Sequence, residues 1–390
     1  MTATLLRNVA KVATGDVERP LIDGPVDIRI ADGRIASIGA PHSGGGASGS
    51  APAGAGADLV LDASGLTAMP GLWDAHYYPY FGDHSVQFDA RGSLAETVRA
   101  GTTSVVSAGT IDFPGRPRDA LGEREVAILA QRSWIYDRPL EIHVHSGTVV
   151  AAAGMNDRDV AALENAGVRR LVVRGPRASG DAPFSSDEAR DLVKAARAHR
   201  MTVVALPGVG PLVAGARSVA EALAAIDADV VLAVNGGDVA LPDAVTNEII
   251  TNGRACIGLA LTGSLTVARR IVSALASRNE ARRILLGTAT PSPRAVLPSG
   301  MQRFVQLVAG ATSALTPPVA VALATGNAAR AYGLPGGRLA PGEPADLLLA
   351  RAPRGGPSPD AFDAIVRGDW LEIDSVFIDG VAQAGARWTA

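Results

Sequence analysis

The chain has 390 residues, 47% of them hydrophobic and 19% charged, with a formal net charge of −3. That length accommodates one large domain plus a smaller one, and the charge balance leaves no basic footprint for nucleic acid or an anionic membrane. A single cysteine, Cys256, excludes an internal disulfide; no uncharged apolar run reaches membrane-spanning length, and Met1 to Gly15 lacks the apolar core of a secretory signal, so the expected location is the cytoplasm.

Residues 26–30 (VDIRI) alternate apolar and polar, Asp32-Gly33 reads as a tight turn, and 35–38 continue as a second strand. Residues 43–57 (SGGGASGSAPAGAGA) form a low-complexity stretch expected to be a flexible loop, after which 59–63 resume a strand. From residue 68 strands and helices alternate, with candidate strands at 68–75, 103–108, 140–145, 169–174, 202–206, 229–234, 255–260 and 283–288. Capping boxes pair Ser93 with Glu96, Ser185 with Glu188 and Ser218 with Glu221, because a serine oxygen satisfies a free helix N–H while the glutamate reaches back. Asn252-Gly253 is predicted to stop a helix, and further helices are expected over 299–312 and 317–332. The tail is strand-like at 346–349 and 375–381, with Asp379-Gly380 as another turn.

Eight strands in βα alternation predict an α/β fold, a (β/α)8 TIM barrel over 68–335. The flanking segments 1–67 and 336–390 predict one small β-sandwich built from both chain ends. A doubly wound open sheet is the structural alternative, and the absence of a Gly-rich phosphate loop after the first strand weighs against it.

Several ordered motifs then bear on chemistry. The series PGLWDAH (70–76), AGTTSVVSAGTIDFPGRPRDA (100–120), VNGG (234–237), LGTATPSPRAVLPSGM (286–301), ATGNAARAYGL (324–334), GRLAPGEPADLLLA (337–350) and IDG (378–380) resembles the amidohydrolase superfamily, and within it the enamidase-like branch related to dihydroorotases and imidazolonepropionases. The resemblance covers essentially the whole chain. It implies a hydrolase that opens cyclic amides with a divalent pair, usually zinc. The metals lower the pKa of a bound water, polarise the amide carbonyl and stabilise the oxyanion. The ligands it implies lie at the C-terminal ends of barrel strands: His-x-His on strand one, a bridging Glu or carboxylated Lys on strand four, His on strands five and six, and Asp on strand eight.

Carried over position by position, the resemblance puts His76 at the first ligand and Tyr78 at the second, where a phenol of pKa about 10 is a poor zinc ligand at neutral pH. The bridge falls at Val173 or Arg174, the strand-five histidine at Leu206, the strand-six histidine at Ala233 and the strand-eight aspartate at Ala289. Lys11 and Lys194, the two lysines of the chain, lie in the wrong elements for a carboxylated bridge, and no histidine follows His199. One imidazole does not hold a catalytic zinc, which takes three protein ligands.

The first reading is therefore a catalytically degenerate enamidase-like chain that binds no cofactor itself. It would support an active amidohydrolase paralogue carrying zinc or manganese in a heteromer, with self-association as a further partner expectation. Tyr77, Tyr78, Tyr80, Phe81 and Arg174 are expected to line a pocket or partner contact at the barrel mouth, or to fill the vacated metal cavity. A second reading is an active hydrolase with a remodelled site, in which His76, His143 and His145 hold one metal, or in which a metal-free acid–base path runs through Tyr78 and a loop aspartate such as Asp112, Asp181 or Asp238. The plainer expectation for His143 and His145 is a pocket histidine and a packed neighbour, and for Cys256 a core position rather than a nucleophile. A third reading is a small-molecule binding protein that uses the dry barrel mouth.

Overall fold

The computed structural model describes residues 3–41, 57–79, 90–109, 116–174, 185–207, 219–236, 241–292 and 295–384. The N-terminal part supplies strands β1 (Ala3–Ala13), β2 (Leu21–Ala31), β3 (Arg34–Gly39), β4 (Leu59–Asp62) and β5 (Thr67–Pro70). The central part supplies β6 (Leu72–Tyr77), β7 (Thr102–Ser107), β8 (His143–His145), β9 (Thr148–Val150), β10 (Arg170–Arg174), β11 (Thr202–Leu206), β12 (Val230–Val231), β13 (Cys256–Ala260) and β14 (Ile284–Gly287). The C-terminal part supplies β15 (Leu347–Arg351), β16 (Glu372–Ile378) and β17 (Val381–Ala384).

The two chain ends build one β-rich domain, as the sequence predicts: a sheet of eight strands in the order β17-β16-β15-β5-β1-β2-β3, with β4 beside β1. Its apolar cluster takes Leu6, Val9 and Val12 from the N-terminal end and Leu347, Leu349 and Phe377 from the C-terminal end. Both Asp-Gly turns form. Asp32 and Gly33 have φ of 51° and 73°, and Asp379 and Gly380 have 49° and 75°, the paired left-handed conformations that match the twist of a two-residue hairpin. The predicted first barrel strand proves to be two. Thr67–Pro70 pairs with β1 and β15 in the β-rich domain, and the barrel begins with β6 after Gly71. The Gly/Ala/Ser loop predicted at 43–57 lies almost wholly outside the described residues.

β6 through β14 form the eight parallel strands of the barrel, with strand three broken into β8 and β9. The first half pairs with β7 and the second with β10. Arg170 spans the break, donating from Nε to Thr148 Oγ1 at 2.9 Å and from Nη2 to the His145 carbonyl at 2.8 Å. Strands eight and one meet through a parallel bridge between Tyr77 and Thr290 and a bond from the Ala289 N–H to the His76 carbonyl of 2.8 Å. Their approach requires Gly287, since a Cβ there would lie 2.5 Å from the His76 backbone nitrogen.

Side-chain alternation separates the two faces of each strand. On β10, Leu171 and Val173 join the cluster under the outer helices, whereas Val172 joins the interior with Trp73, Val106, Val204 and Leu285. Arg170 and Arg174 therefore share the inward face, one at each end of the strand.

The helix signals are mixed. Ser185 and Glu188 form the expected capping box, and the helix Asp243–Asn252 ends at Gly253. Ser93 does not cap, because it lies inside the helix described over Ala90–Arg99. Ser218 lies outside the described residues. The helix expected over 317–332 divides into Pro317–Leu323 and Gly326–Ala331. No helix among the described residues is long and apolar enough to cross a membrane.

Candidate functional site at the barrel mouth

A connected polar network joins β6 to the segment that follows β14. Asp74 is 1% exposed. Its Oδ1 accepts from the backbone N–H groups of His76 at 3.0 Å and Thr288 at 2.9 Å, and its Oδ2 accepts from the Thr288 hydroxyl. Thr288 Oγ1 in turn accepts from the Thr290 hydroxyl at 2.8 Å. Burial pushes the Asp74 carboxyl up to about 7, against the opposing effect of the Thr288 and His76 donors. This network joins strand eight to strand one. Local sequence does not reveal it: Asp74 stands two residues before His76, but its Thr288 partner lies 214 residues further along the chain.

His76 is buried, and its Nε2 lies 2.9 Å from the Tyr78 hydroxyl. The two rings meet edge to face with centroids 5.1 Å apart. Tyr78 belongs to the barrel-interior cluster together with Leu206 and Ala233, so it fills the mouth. Tyr77 corrects the expectation of a contact surface. It is 4% exposed and belongs to a different cluster, shared with Leu94, Val105 and Leu241. Tyr80, Phe81, Asp112, Asp181 and Asp238 lie outside the described residues.

The remaining positions named by the resemblance surround this pair with little donor chemistry. Leu206 and Ala233 are 3% exposed, Ala289 packs against the interior cluster, and Val173 faces the outer helices. Arg174 ends β10, half-buried, on the inward face. Ala233 and Ala289 have φ of 52° and 55°, a left-handed conformation that alanine adopts only at a cost. Backbone strain thus coincides with two of the positions that the resemblance assigns to ligands. Asn235, in the VNGG segment, is structural. Its side chain donates to the Ala260 carbonyl at 2.8 Å and accepts from the Ala260 N–H at 2.7 Å, clamping the ends of β12 and β13.

A bridged pair of divalent ions needs several histidines and a shared carboxylate. Among the described residues, the mouth offers His76, already engaged by a phenol, and the half-buried Arg174 guanidinium at the end of β10. This donor set does not fit such a pair.

The structure does not bring His76, His143 and His145 together either. His145 is stacked on Trp73 with centroids 5.1 Å apart, and its pKa is held well below the ordinary 6.5 by burial, then by Arg170, His143 and Arg138. His143 turns to the seam with the β-rich domain, with Nε2 3.1 Å from Asp346 Oδ2 and 3.7 Å from Asp379 Oδ1. Among the described residues, these three are the His/Cys/Asp/Glu group with ligand atoms within 4.8 Å of one another. Arg138 closes that group: its Nη2 lies 3.1 Å from His143 Nδ1 and 3.2 Å from Asp379 Oδ2. A guanidinium only donates, so Nδ1 accepts and the ring proton sits on Nε2, beside the Asp346 carboxylate. The cluster is an ion-paired clasp between barrel and β-rich domain. Cys256 is core-like, its thiol pushed up chiefly by burial.

A family model for the amidohydrolase family matches residues 251–382. The chain is 30% identical over 383 residues to an enamidase from Eubacterium barkeri, covering 98% of this chain and 95% of that protein. It is 35% identical over 116 residues to an imidazolonepropionase from Mycolicibacterium smegmatis, covering 28% of this chain and 26% of that one. Among solved structures, an enamidase superposes with a TM-score of 0.86 at 29% identity, covering 99% of this chain and 96% of that one. A putative prolidase from Bifidobacterium longum shares the fold, with a TM-score of 0.63 at 19% identity over 100% of this chain and 96% of that chain.

Proposed function

The chain belongs to the amidohydrolase superfamily and is related to enamidase, a cyclic-amide amidohydrolase, and from that membership we propose that it is a catalytically degenerate subunit. In this reading it supports an active, metal-bearing paralogue in a heteromeric hydrolase of C–N bonds in cyclic amides. The supporting observation is the make-up of the barrel mouth. The positions that the resemblance assigns to ligands hold Tyr78, Val173 or Arg174, Leu206, Ala233 and Ala289, and His76 is tied to Tyr78 at 2.9 Å. Metal-dependent hydrolysis needs a cation that acidifies a water and polarises a carbonyl. Leucine and alanine side chains supply no lone pair for it, and a guanidinium repels it.

The zinc or manganese of this reading belongs to the paralogue. What this chain retains is the scaffold: the Asp74–Thr288 network, the Gly287 contact and the Asn235 clamp all hold the strand ends in register. The test is co-purification and assay. The protein alone is expected to leave cyclic amides intact, and a co-expressed paralogue with a full ligand set is expected to bind it and turn them over. Metal-dependent turnover by the isolated protein, abolished by His76→Ala, would overturn the proposal.

A further inference from the structure

The helix Ala120–Tyr136, which follows barrel strand two, buries Ala127, Ala130 and Trp134. Its outer face is unusually apolar. Leu121, Leu129, Ile135 and Tyr136 are 57%, 55%, 57% and 89% exposed, and these four come from one helix among eleven exposed large hydrophobics in all the described residues. Such concentration marks an interaction surface rather than scattered surface residues.

The order of side chains on this face identifies the partner. At about 100° per residue, Leu121, Glu125, Ile128, Leu129, Arg132 and Tyr136 fall on one stripe. The stripe is balanced about its midpoint between Ile128 and Leu129. Glu125 and Arg132 stand at equal distances on either side with opposite charge, and Leu121 and Tyr136 stand at equal distances beyond them. A two-fold axis through that midpoint lays a second helix antiparallel on the first. Glu125 then faces Arg132 of the partner subunit, and Arg132 faces Glu125 of the partner subunit. Leu121 and Tyr136 pair likewise at the two ends; across the axis the exposed Leu129 meets the partly exposed edge of Ile128, whose inner side packs on the cluster beneath the helix. This is the self-complementarity that an isologous interface requires.

The charged groups are available for it. Arg132 has no hydrogen bond or ion pair among the described residues. Glu125 is exposed and lies 3.0 Å from Arg124, but Arg124 is also held by Asp159 at 2.7 Å, so Glu125 turns outward without stranding it. We propose that this helix face is a self-association surface, on which a second copy of this chain docks antiparallel about a two-fold axis. The surface lies outside the barrel, so this inference stands whether or not the mouth has chemistry.

The test is sedimentation analysis of the full-length protein across a range of concentrations and salt. The wild-type chain is expected to dimerise in a salt-sensitive manner. Glu125→Arg and Arg132→Glu each place like charges opposite one another and are expected to weaken the dimer about tenfold or more. The double variant Glu125→Arg/Arg132→Glu regenerates both pairs with their signs exchanged and is expected to restore association. Leu129→Glu is expected to abolish it, with circular dichroism confirming an unchanged fold. A monomer at all concentrations up to about 100 μM, a dimer indifferent to the charge reversals, a double variant no better than the single ones, or association only with a different chain would each overturn the proposal.

Discussion

The Nε2 of His76 lies 2.9 Å from the hydroxyl of Tyr78, so the imidazole retained at the barrel mouth is bonded to the phenol that stands two residues on. Both side chains are buried, at 2% and 8% exposure, which makes the bond one between desolvated groups. Tyr78→Phe removes the hydroxyl and leaves Nε2 without that bond. The expected cost is about 1–2 kcal/mol, read as a lower urea midpoint at unchanged slope. An unchanged midpoint would mean that the pair contributes nothing to the folded state.

The left-handed alanines give a second, sharper expectation. In regular structure Ala→Gly costs about 0.5–1 kcal/mol, because glycine loses more freedom on folding. At Ala233 and Ala289, with φ of 52° and 55°, glycine also relieves strain of about 1 kcal/mol. Ala233→Gly and Ala289→Gly are therefore expected to be neutral or stabilising, and Ala→Val at either position strongly destabilising. Thermal unfolding of the four variants checks this, and an ordinary Ala→Gly loss at both positions would contradict it.

Asp74 predicts a pH dependence with a definite sign. Its folded pKa of about 7 lies above its ordinary value of 3.8, so the folded protein keeps a proton that the unfolded chain releases. The associated stability is complete below about pH 4 and is lost as pH rises through about 7, in total on the order of a few kcal/mol. Asp74→Asn keeps a neutral group able to accept from Thr288 and His76, and is expected to flatten the profile between pH 4 and pH 8. Urea unfolding across that range measures it; a slope retained in the Asn variant would assign the effect elsewhere.

The barrel was legible in the sequence because its strands are short apolar runs between capped helices, and β11 occupies the predicted 202–206. Two departures trace to tertiary contacts that local patterning does not encode. The run 68–75 reads as one strand, but its first part pairs with β15 from the far end of the chain. The run 140–145 reads as the third strand, but only His143–His145 pairs there; the strand resumes separately at Thr148–Val150, and Arg170 from the next strand spans the break. The site was legible only as identities at positions. That His143 faces Asp346 across a domain seam, rather than His76 across the mouth, depends on a long-range contact. The Asp74 network escapes local patterning for the same reason, since both of its threonines lie just past the end of β14, far along the chain.

Whether the barrel mouth has the electron-pair donors to hold a cation is read from metal stoichiometry. The protein is expressed in medium supplemented with zinc and manganese, purified alone and measured by elemental mass spectrometry beside its His76→Ala variant. Well below one equivalent of either metal is expected, with no difference between the two proteins. One or more equivalents bound by the wild-type chain and lost from the His76→Ala variant would contradict it.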